Sequence, residues 1–308
     1  TGSKPFVPPM KDIDKVENKF TFMTWDSAKA IREKVTAGTK VLVIGAGLIG
    51  LKCAEALHHL NADITVVDLA DRILPSILDV RAGEIMQKHI EDKGTKFILG
   101  TSVEQFSKNS AKLTNGETVD FDILVIAVGV RPNTELVSDA GGKVEKGIIT
   151  DLHQQTTIDN VYAAGDCTVS HDCSSNTDRI LALLPNAFMQ GEVAGKNMAG
   201  EETLYLNAIP MNAIGFYGLH IITAGSYDGD EDITEDADKE IYKKLVFKDG
   251  LLKGFILMGD VARAGIYTSM IKEQIPLTEV DLDLLRDKPQ MMMFGKARRE
   301  EKLAGKKH

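Results

Sequence analysis

The residues most able to do chemistry begin with three glycines and one aspartate. Gly45, Gly47 and Gly50 form a G-x-G-x-x-G turn, and Asp68 follows farther along. The run Lys40-Val41-Leu42-Val43-Ile44 before the turn reads as a buried parallel strand, and Leu51-Lys52-Cys53-Ala54-Glu55-Ala56-Leu57 after it as a helix. Ile64-Thr65-Val66-Val67 is a second strand, and Asp68 stands at its end. That order suits a dinucleotide. Gly45 permits the tight turn, Gly47 admits the backbone to a pyrophosphate at the positive end of the helix, and Gly50 lets helix and strand pack closely. Leu48 and Ile49 complete the same turn. Asp68 can accept both ribose hydroxyls of an adenosine. Its charge repels a 2'-phosphate, and Leu69 and Ala70 follow it, with Arg72 only four positions on. NAD is therefore favoured over NADP. The plain alternative is a βαβ unit whose glycine turn holds no ligand.

Further candidates lie downstream. Ile123-Leu124-Val125-Ile126-Ala127-Val128 is an apolar run ending at Gly129. Gly129 marks either a close approach of backbone to the bound dinucleotide or a simple strand-ending turn. Val161-Tyr162-Ala163-Ala164 leads into Gly165-Asp166. The spacing predicts a strand there, with Asp166 just beyond its carboxyl end, where α/β sheets present ligand-binding groups. Pro185, Asn186 and Ala187 open a helix pattern. Proline suits a first turn, and the helix N-terminus suits a partly anionic ring system. No acid–base triad or metal-ligand spacing stands out. Cys53, Cys167 and Cys173 make neither a disulfide framework nor a C-x-x-C pair.

Residues 4–20 read as a connector, and Asp26 as the N-cap of a helix over Ala28–Ile31. Strands are expected at 41–44, 64–67, 96–99 and 123–128, helices at 48–60 and 79–93, and a hairpin at Asn115-Gly116. The segment 168–179 reads as a polar loop. From about residue 203 the pattern is that of a small α+β domain, with strands over 213–218, 220–223, 242–247 and 251–257 and helices over 260–273 and 279–286. The acidic stretch Asp228–Glu240 begins like a calcium loop. Ile233 stands where that loop needs glycine and Lys239 where it needs glutamate, so it reads as a solvated charged loop. The basic end, Lys296–His308, reads as a solvated, partly disordered tail.

The chain has 308 residues, 43% hydrophobic and 26% charged, with a formal net charge of −9. That length accommodates two or three domains. The charge argues against a nucleic-acid-binding surface. No apolar run is long enough to span a bilayer, no signal-peptide pattern opens the sequence, and the cysteine usage fits a reducing cytoplasm.

With Val41–Gly50, Asp68, Gly129 and Gly165-Asp166 in hand, the chain resembles the pyridine nucleotide-disulfide oxidoreductase superfamily. Within it, the likeness is to NADH-dependent rubredoxin, ferredoxin and nitrite reductase flavoproteins. The resemblance implies an α/β fold, a Rossmann-like NAD domain inserted in a partial FAD domain, followed by a small C-terminal α+β domain. The expected boundaries are 1–30 for the connector and the end of the first FAD half, 31–149 for the NAD domain, 150–202 for the second FAD segment and 203–308 for the C-terminal domain. It also implies that Asp166 binds the flavin ribityl chain and that the helix from Pro185 lies under the isoalloxazine. Two departures stand out. The glycine turn that binds the ADP half of FAD in this family is absent, and Thr1-Gly2 resembles the tail of the strand closing that half, so the chain reads as N-terminally truncated. Many relatives also carry glutamate two residues after the third glycine, where this chain has Lys52. That lysine either alters nicotinamide or flavin properties or points to solvent.

Three functions follow. The first is an FAD-dependent NADH oxidoreductase passing electrons from NADH through flavin to a protein or small-molecule acceptor. The second is an electron-transfer flavin subunit of a larger iron–sulfur oxidoreductase complex. The third is a non-catalytic NAD-binding fragment.

Overall fold

The computed structural model describes residues 2–304. The chain divides into two compact units. One comprises Ser3–Arg131 and Gly215–Leu219, and the other takes Gly2, Pro132–Ile214 and His220 onward.

The first unit is built on β3 (Lys40–Ile44), β4 (Asp63–Asp68), β5 (Lys96–Leu99) and β9 (Ile123–Ile126), joined by β2 (Lys19–Thr21) at one edge. They form a parallel sheet in the order β2-β9-β3-β4-β5. Ile44 lies level with Val67 on one side and Ile126 on the other. Such continuous apolar runs are what a sheet covered on both faces requires. One face carries α2 (Leu48–His58), which packs on β3 and β4. The other meets a small antiparallel sheet of β6 (Val103–Phe106), β7 (Ser110–Leu113) and β8 (Thr118–Asp120). Leu42, Val67 and Ile126 there share a core with Phe106, Leu113 and Phe121. The β7–β8 turn contains Asn115-Gly116, where a hairpin is expected.

Several expectations need correction here. The helix α1 spans Trp25–Lys34 and is capped by Thr24, not Asp26. The Thr24 hydroxyl accepts the Ser27 N–H at 3.1 Å and Ser27 Oγ accepts the Thr24 N–H at 3.0 Å, a reciprocal box. Asp26 sits inside the first turn and pairs with Lys29. The connector is not wholly irregular. It supplies β1 (Ser3–Pro5) as well as β2, and β1 pairs with β10 (Val130–Pro132). The strand expected to reach Val128 stops at Ile126, because the chain must turn at Gly129, whose φ is 117°.

In the second unit, the short α4 (Glu135–Ser138) precedes β11 (Ile148–Ile149), β12 (Thr168–Asp172) and β13 (Thr177–Ile180). β12 and β13 form an antiparallel hairpin across the segment read as a polar loop. Its polar residues are satisfied locally. The buried Asp172 carboxylate accepts the Ser174 N–H at 2.9 Å and the Ser175 hydroxyl at 3.0 Å. The apolar run Val161–Ala164 forms no strand; its pairing is a single bridge from Tyr162 to Gln155. Asp166 therefore precedes a strand rather than following one. The helix α5 spans Leu184–Met198, with proline in its first turn.

The C-terminal part of this unit is a five-stranded sheet in the order β14-β15-β18-β17-β16. The strands are β14 (Met211–Phe216), β15 (Leu219–Gly225), β16 (Asp230–Asp236), β17 (Ile241–Lys248) and β18 (Leu251–Met258). The helices α6 (Ala264–Lys272) and α7 (Leu282–Asp287) join its core through Tyr267, Met270 and Leu285, with Phe255 and Leu257 from the sheet. The acidic stretch read as a loop is the edge strand β16. Charge on an edge strand costs little and blocks further pairing. Here Glu231 pairs with Lys244, and Asp232 pairs with Arg286 at 2.6 Å. The expected tail is instead a helix, α8 (Lys296–Leu303), held by Arg298 to Glu279 at 2.9 Å and by Lys302 to Glu273 at 2.8 Å. The remainder of that reading, and Thr1, lie outside the described residues.

Candidate functional site: two nucleotide turns

The turn between β3 and α2 is shaped by what surrounds each glycine. Gly45 has φ 113°, and a Cβ there would stand 2.3 Å from the Ala127 carbonyl oxygen, so β9 closes on it. A Cβ on Gly50 would meet the Gly45 carbonyl oxygen at 1.9 Å. These two glycines let the strand, turn and helix sit on one another. Gly47 differs, because a Cβ there would meet nothing within 4 Å. Its surroundings are open, as a turn meant to receive a ligand must be. Gly47 is also the N-cap of α2, and no side chain caps that helix. The first N–H groups, of Leu48 and Ile49 among them, lack a side-chain acceptor and form an anion-binding terminus.

Asp68 closes the other side of this turn. Its Oδ2 accepts the Ala46 N–H at 2.6 Å and its Oδ1 accepts the Ala70 N–H at 2.8 Å. Each carboxylate oxygen has a second lone-pair direction, so both can still accept a ribose hydroxyl. The side chain thus has a second task that the spacing did not disclose: it ties the end of β4 to the glycine turn. Leu74 reinforces that tie by donating its N–H to the Ala46 carbonyl at 3.0 Å. Gly129 is exposed and open, and its carbonyl accepts the Phe6 N–H at 2.9 Å.

Lys52 is partly exposed and tied to its neighbours. Its ammonium donates to Glu55 at 2.6 Å and to the Gly215 carbonyl at 2.5 Å, and lies 5.0 Å from the Phe216 ring centroid. Glu55 in turn accepts the Tyr217 N–H at 2.6 Å. Residues 215–217 are so far from α2 in sequence that no local pattern predicts the pairing.

The second site gathers Gly165, Asp166 and the start of α5. Gly165 has φ 85°, and a Cβ there would lie 3.4 Å from the Ala187 Cβ. The turn is held by Gln190, a fully buried side chain that sequence reading missed. Its Oε1 accepts the Gly165 N–H at 2.5 Å and the Thr168 hydroxyl at 3.1 Å, and its Nε2 donates to Ser170 at 2.8 Å. The recurrence of Asn186, Gln190 and Asn197 on one helix with buried apolar neighbours was the available signal. Asn186 is buried too. Its Nδ2 donates to the Ile209 carbonyl at 3.0 Å and its Oδ1 accepts the Tyr205 hydroxyl at 2.9 Å. Its side chain is therefore a tie within the fold, and only its backbone is left for a ligand. Ala187 donates its N–H to Leu183. No side chain caps α5, and Asp166 is half-buried beside it.

The cysteines take no part. All three are free and buried. Burial pushes the Cys53 thiol up to about 12, which leaves it protonated and inert.

Residues 1–191 match the pyridine nucleotide-disulphide oxidoreductase family. The chain belongs to that family. Residues 210–275 match the rubredoxin NAD+ reductase C-terminal domain. Among curated relatives, the epsilon subunit of NADH-dependent phenylglyoxylate dehydrogenase from Aromatoleum evansii is 32% identical over 90% of this chain and 68% of that one. The assimilatory nitrate reductase electron transfer subunit of Bacillus subtilis is 31% identical over 89% of this chain and 36% of that one. An NADH oxidase of Methanocaldococcus jannaschii is 38% identical over 67% of this chain and 47% of that one. Of the last two relatives the chain thus spans less than half. Among solved structures, an NAD-dependent persulfide reductase from A. fulgidus superposes with a TM-score of 0.81 at 27% identity, over 91% of this chain and 57% of that one.

Membership brings oxidoreductase chemistry with FAD and NAD(H) as cofactors. The first turn fits the dinucleotide, with open space at Gly47 and an uncapped helix end. The second fits the ribityl and ring portion of a flavin, with one carboxylate and a second uncapped helix end. The glycine turn for the adenylate half of FAD is not in this sequence.

Proposed function

We propose that the chain takes electrons from NADH and delivers them, by way of bound FAD, to a partner protein. The observation that carries the reading is the first turn, where open space at Gly47, an uncapped α2 and the Asp68 carboxylate lie in one unit. In this reading the N–H groups of Leu48 and Ile49 hold the pyrophosphate. Asp68 holds the adenosine ribose and excludes a 2'-phosphate. Asp166 accepts hydroxyl hydrogens from the ribityl chain, and the α5 terminus offers positive potential to the flavin ring. When bound, FAD supplies the exchange between a two-electron donor and a one-electron acceptor.

A partner protein is favoured as the acceptor because the two subunit-type relatives match this chain along nine-tenths of its length, C-terminal domain included. An iron–sulfur partner suits that role, since it accepts single electrons. The test uses the purified chain with saturating FAD. NADH should reduce a dye acceptor and bleach the flavin bands, and Gly47→Val should abolish both, because a β-branched side chain would fill the pyrophosphate space. Absence of flavin binding together with absence of dye reduction would leave only the NAD-binding function. Recovery of the chain from its source as a lone protein, free of redox subunits, would overturn the partner-protein half.

A further inference from the structure

Four parallel strands of the first unit reach one edge together. Thr21 of β2 lies level with Ile126 of β9, Ile126 with Ile44 of β3, and Ile44 with Val67 of β4. Open parallel sheets bind ligands along that carboxyl edge. Asp68 is the last residue of β4, and the Gly45–Gly47 turn follows β3. In the reading proposed above, on which this inference rests, they hold the adenosine ribose and the pyrophosphate. A dinucleotide laid across the edge in that direction next passes the ends of β9 and β2, roughly 5 and 10 Å beyond β3 at the usual strand spacing.

Those two ends carry exposed apolar side chains. Val128 follows β9 and is 36% exposed, and Met23 and Trp25 follow β2 and are 39% and 75% exposed. Trp25 is the only tryptophan in the sequence. Its backbone is fixed. It is the first residue of α1, behind the reciprocal bonds between Thr24 and Ser27, and Ile31 of the same helix is buried in the core. A helical side chain leans toward the N-terminal end of its helix, and that end of α1 stands just past Thr21, where β2 reaches the edge. The indole is thus held at the carboxyl edge with its faces in water.

We propose that Trp25 binds the nicotinamide ring, with Met23 and Val128 beside it. Nicotinamide is planar, and its oxidised form is cationic. An indole face attracts such a ring both by stacking and through its quadrupole.

The test reads the fluorescence of the purified chain, excited on the red edge of indole absorption so that the emission comes from Trp25. The control ligand is ADP-ribose, which keeps the adenosine and the pyrophosphate and lacks the nicotinamide. NAD+ should quench the emission, and ADP-ribose should leave it unchanged. In calorimetric titrations Trp25→Ala, a change at an exposed position, should weaken NAD+ at least about threefold. Trp25→Phe, which keeps an aromatic face, should lose less. ADP-ribose should bind all three proteins equally. The inference is overturned, with the dinucleotide turn left standing, if both nucleotides bind without altering the emission, as for an indole reserved for a partner protein. Equal quenching by the two nucleotides, or a Trp25→Ala variant that binds NAD+ undiminished or loses ADP-ribose as much as NAD+, overturns it in the same way. Failure of the parent chain to bind either nucleotide overturns the inference and the proposed function together.

Discussion

Asp68 carries two loads with one carboxylate. It anchors the glycine turn through Ala46 and the start of the next loop through Ala70, and in the proposed function its remaining lone pairs accept the ribose hydroxyls. A 2'-phosphate brought there meets a fixed negative charge with no adjacent arginine to offset it. NADH is therefore expected to bind at least about tenfold more tightly than NADPH, a difference of about 1.4 kcal/mol or more. Asp68→Ala should narrow that gap. It should also weaken NADH itself, because the Ala46 N–H loses its acceptor and the turn loosens. Equal affinities for the two nucleotides in the unmodified chain, measured by fluorescence titration, would refute this. Cys53 sits nearby on α2 but belongs to the core. With its thiol pushed up to about 12, it stays neutral in the folded state, so it opposes ionisation as pH rises from the ordinary thiol range toward that value. A disulfide reagent at pH 8 should leave Cys53 unlabelled until urea unfolds the chain, and rapid labelling of the native protein would contradict its burial.

Among the elements, α5 leaves its first turn without a side-chain cap while its body fastens the Gly165 turn. Gln190 joins Gly165, Thr168 and Ser170 in one buried network. Gln190→Leu would strand the Gly165 N–H and the Ser170 hydroxyl, a penalty of about 1–3 kcal/mol. Gln190→Glu keeps an acceptor for the Gly165 N–H and can bond the Ser170 hydroxyl, but it buries a carboxyl group, so its cost should be smaller than that of Gln190→Leu at acidic pH, where that group is neutral. Urea denaturation of the two variants checks this order, and a leucine variant as stable as the parent would show that the network contributes nothing. The elements that were legible in sequence were those with strong apolar periodicity: β3, α2, β4, α3 (Val80–Glu91), β5 and the C-terminal strands β14, β15, β17 and β18. Those that were not legible depend on partners distant in sequence or on polar surfaces. β16 looks like a loop because its charges are answered by Lys244 and Arg286. The β12–β13 hairpin looks like a loop because Asp172 is satisfied by serines. Val161–Ala164 looks like a strand, yet a strand needs a neighbour, and here a single bridge is found. The cap of α1 was misplaced because Thr24 and Asp26 are both acceptable N-caps, and the return bond from Ser27 selects the first.

At the scale of the whole molecule, the two nucleotide turns lie in different compact units. The glycine turn and Asp68 sit in the unit of Ser3–Arg131, and Gly165, Asp166 and α5 in the other. The side chains that hold each turn come from its own unit: Asp68 for the first, Gln190 for the second. Substitutions at sites that share no partners add independently. Asp166→Ala should therefore reduce retention of FAD while leaving NADH affinity within about twofold, which is about 0.4 kcal/mol and close to the error of additivity. Asp68→Ala should do the reverse, weakening NADH with little change in flavin binding. The two variants, each titrated with both nucleotides, form a closed test. If Asp166→Ala removed NADH binding and spared flavin, the assignments of the turns would be exchanged. If each variant weakened both nucleotides together, the units would not be independent in binding.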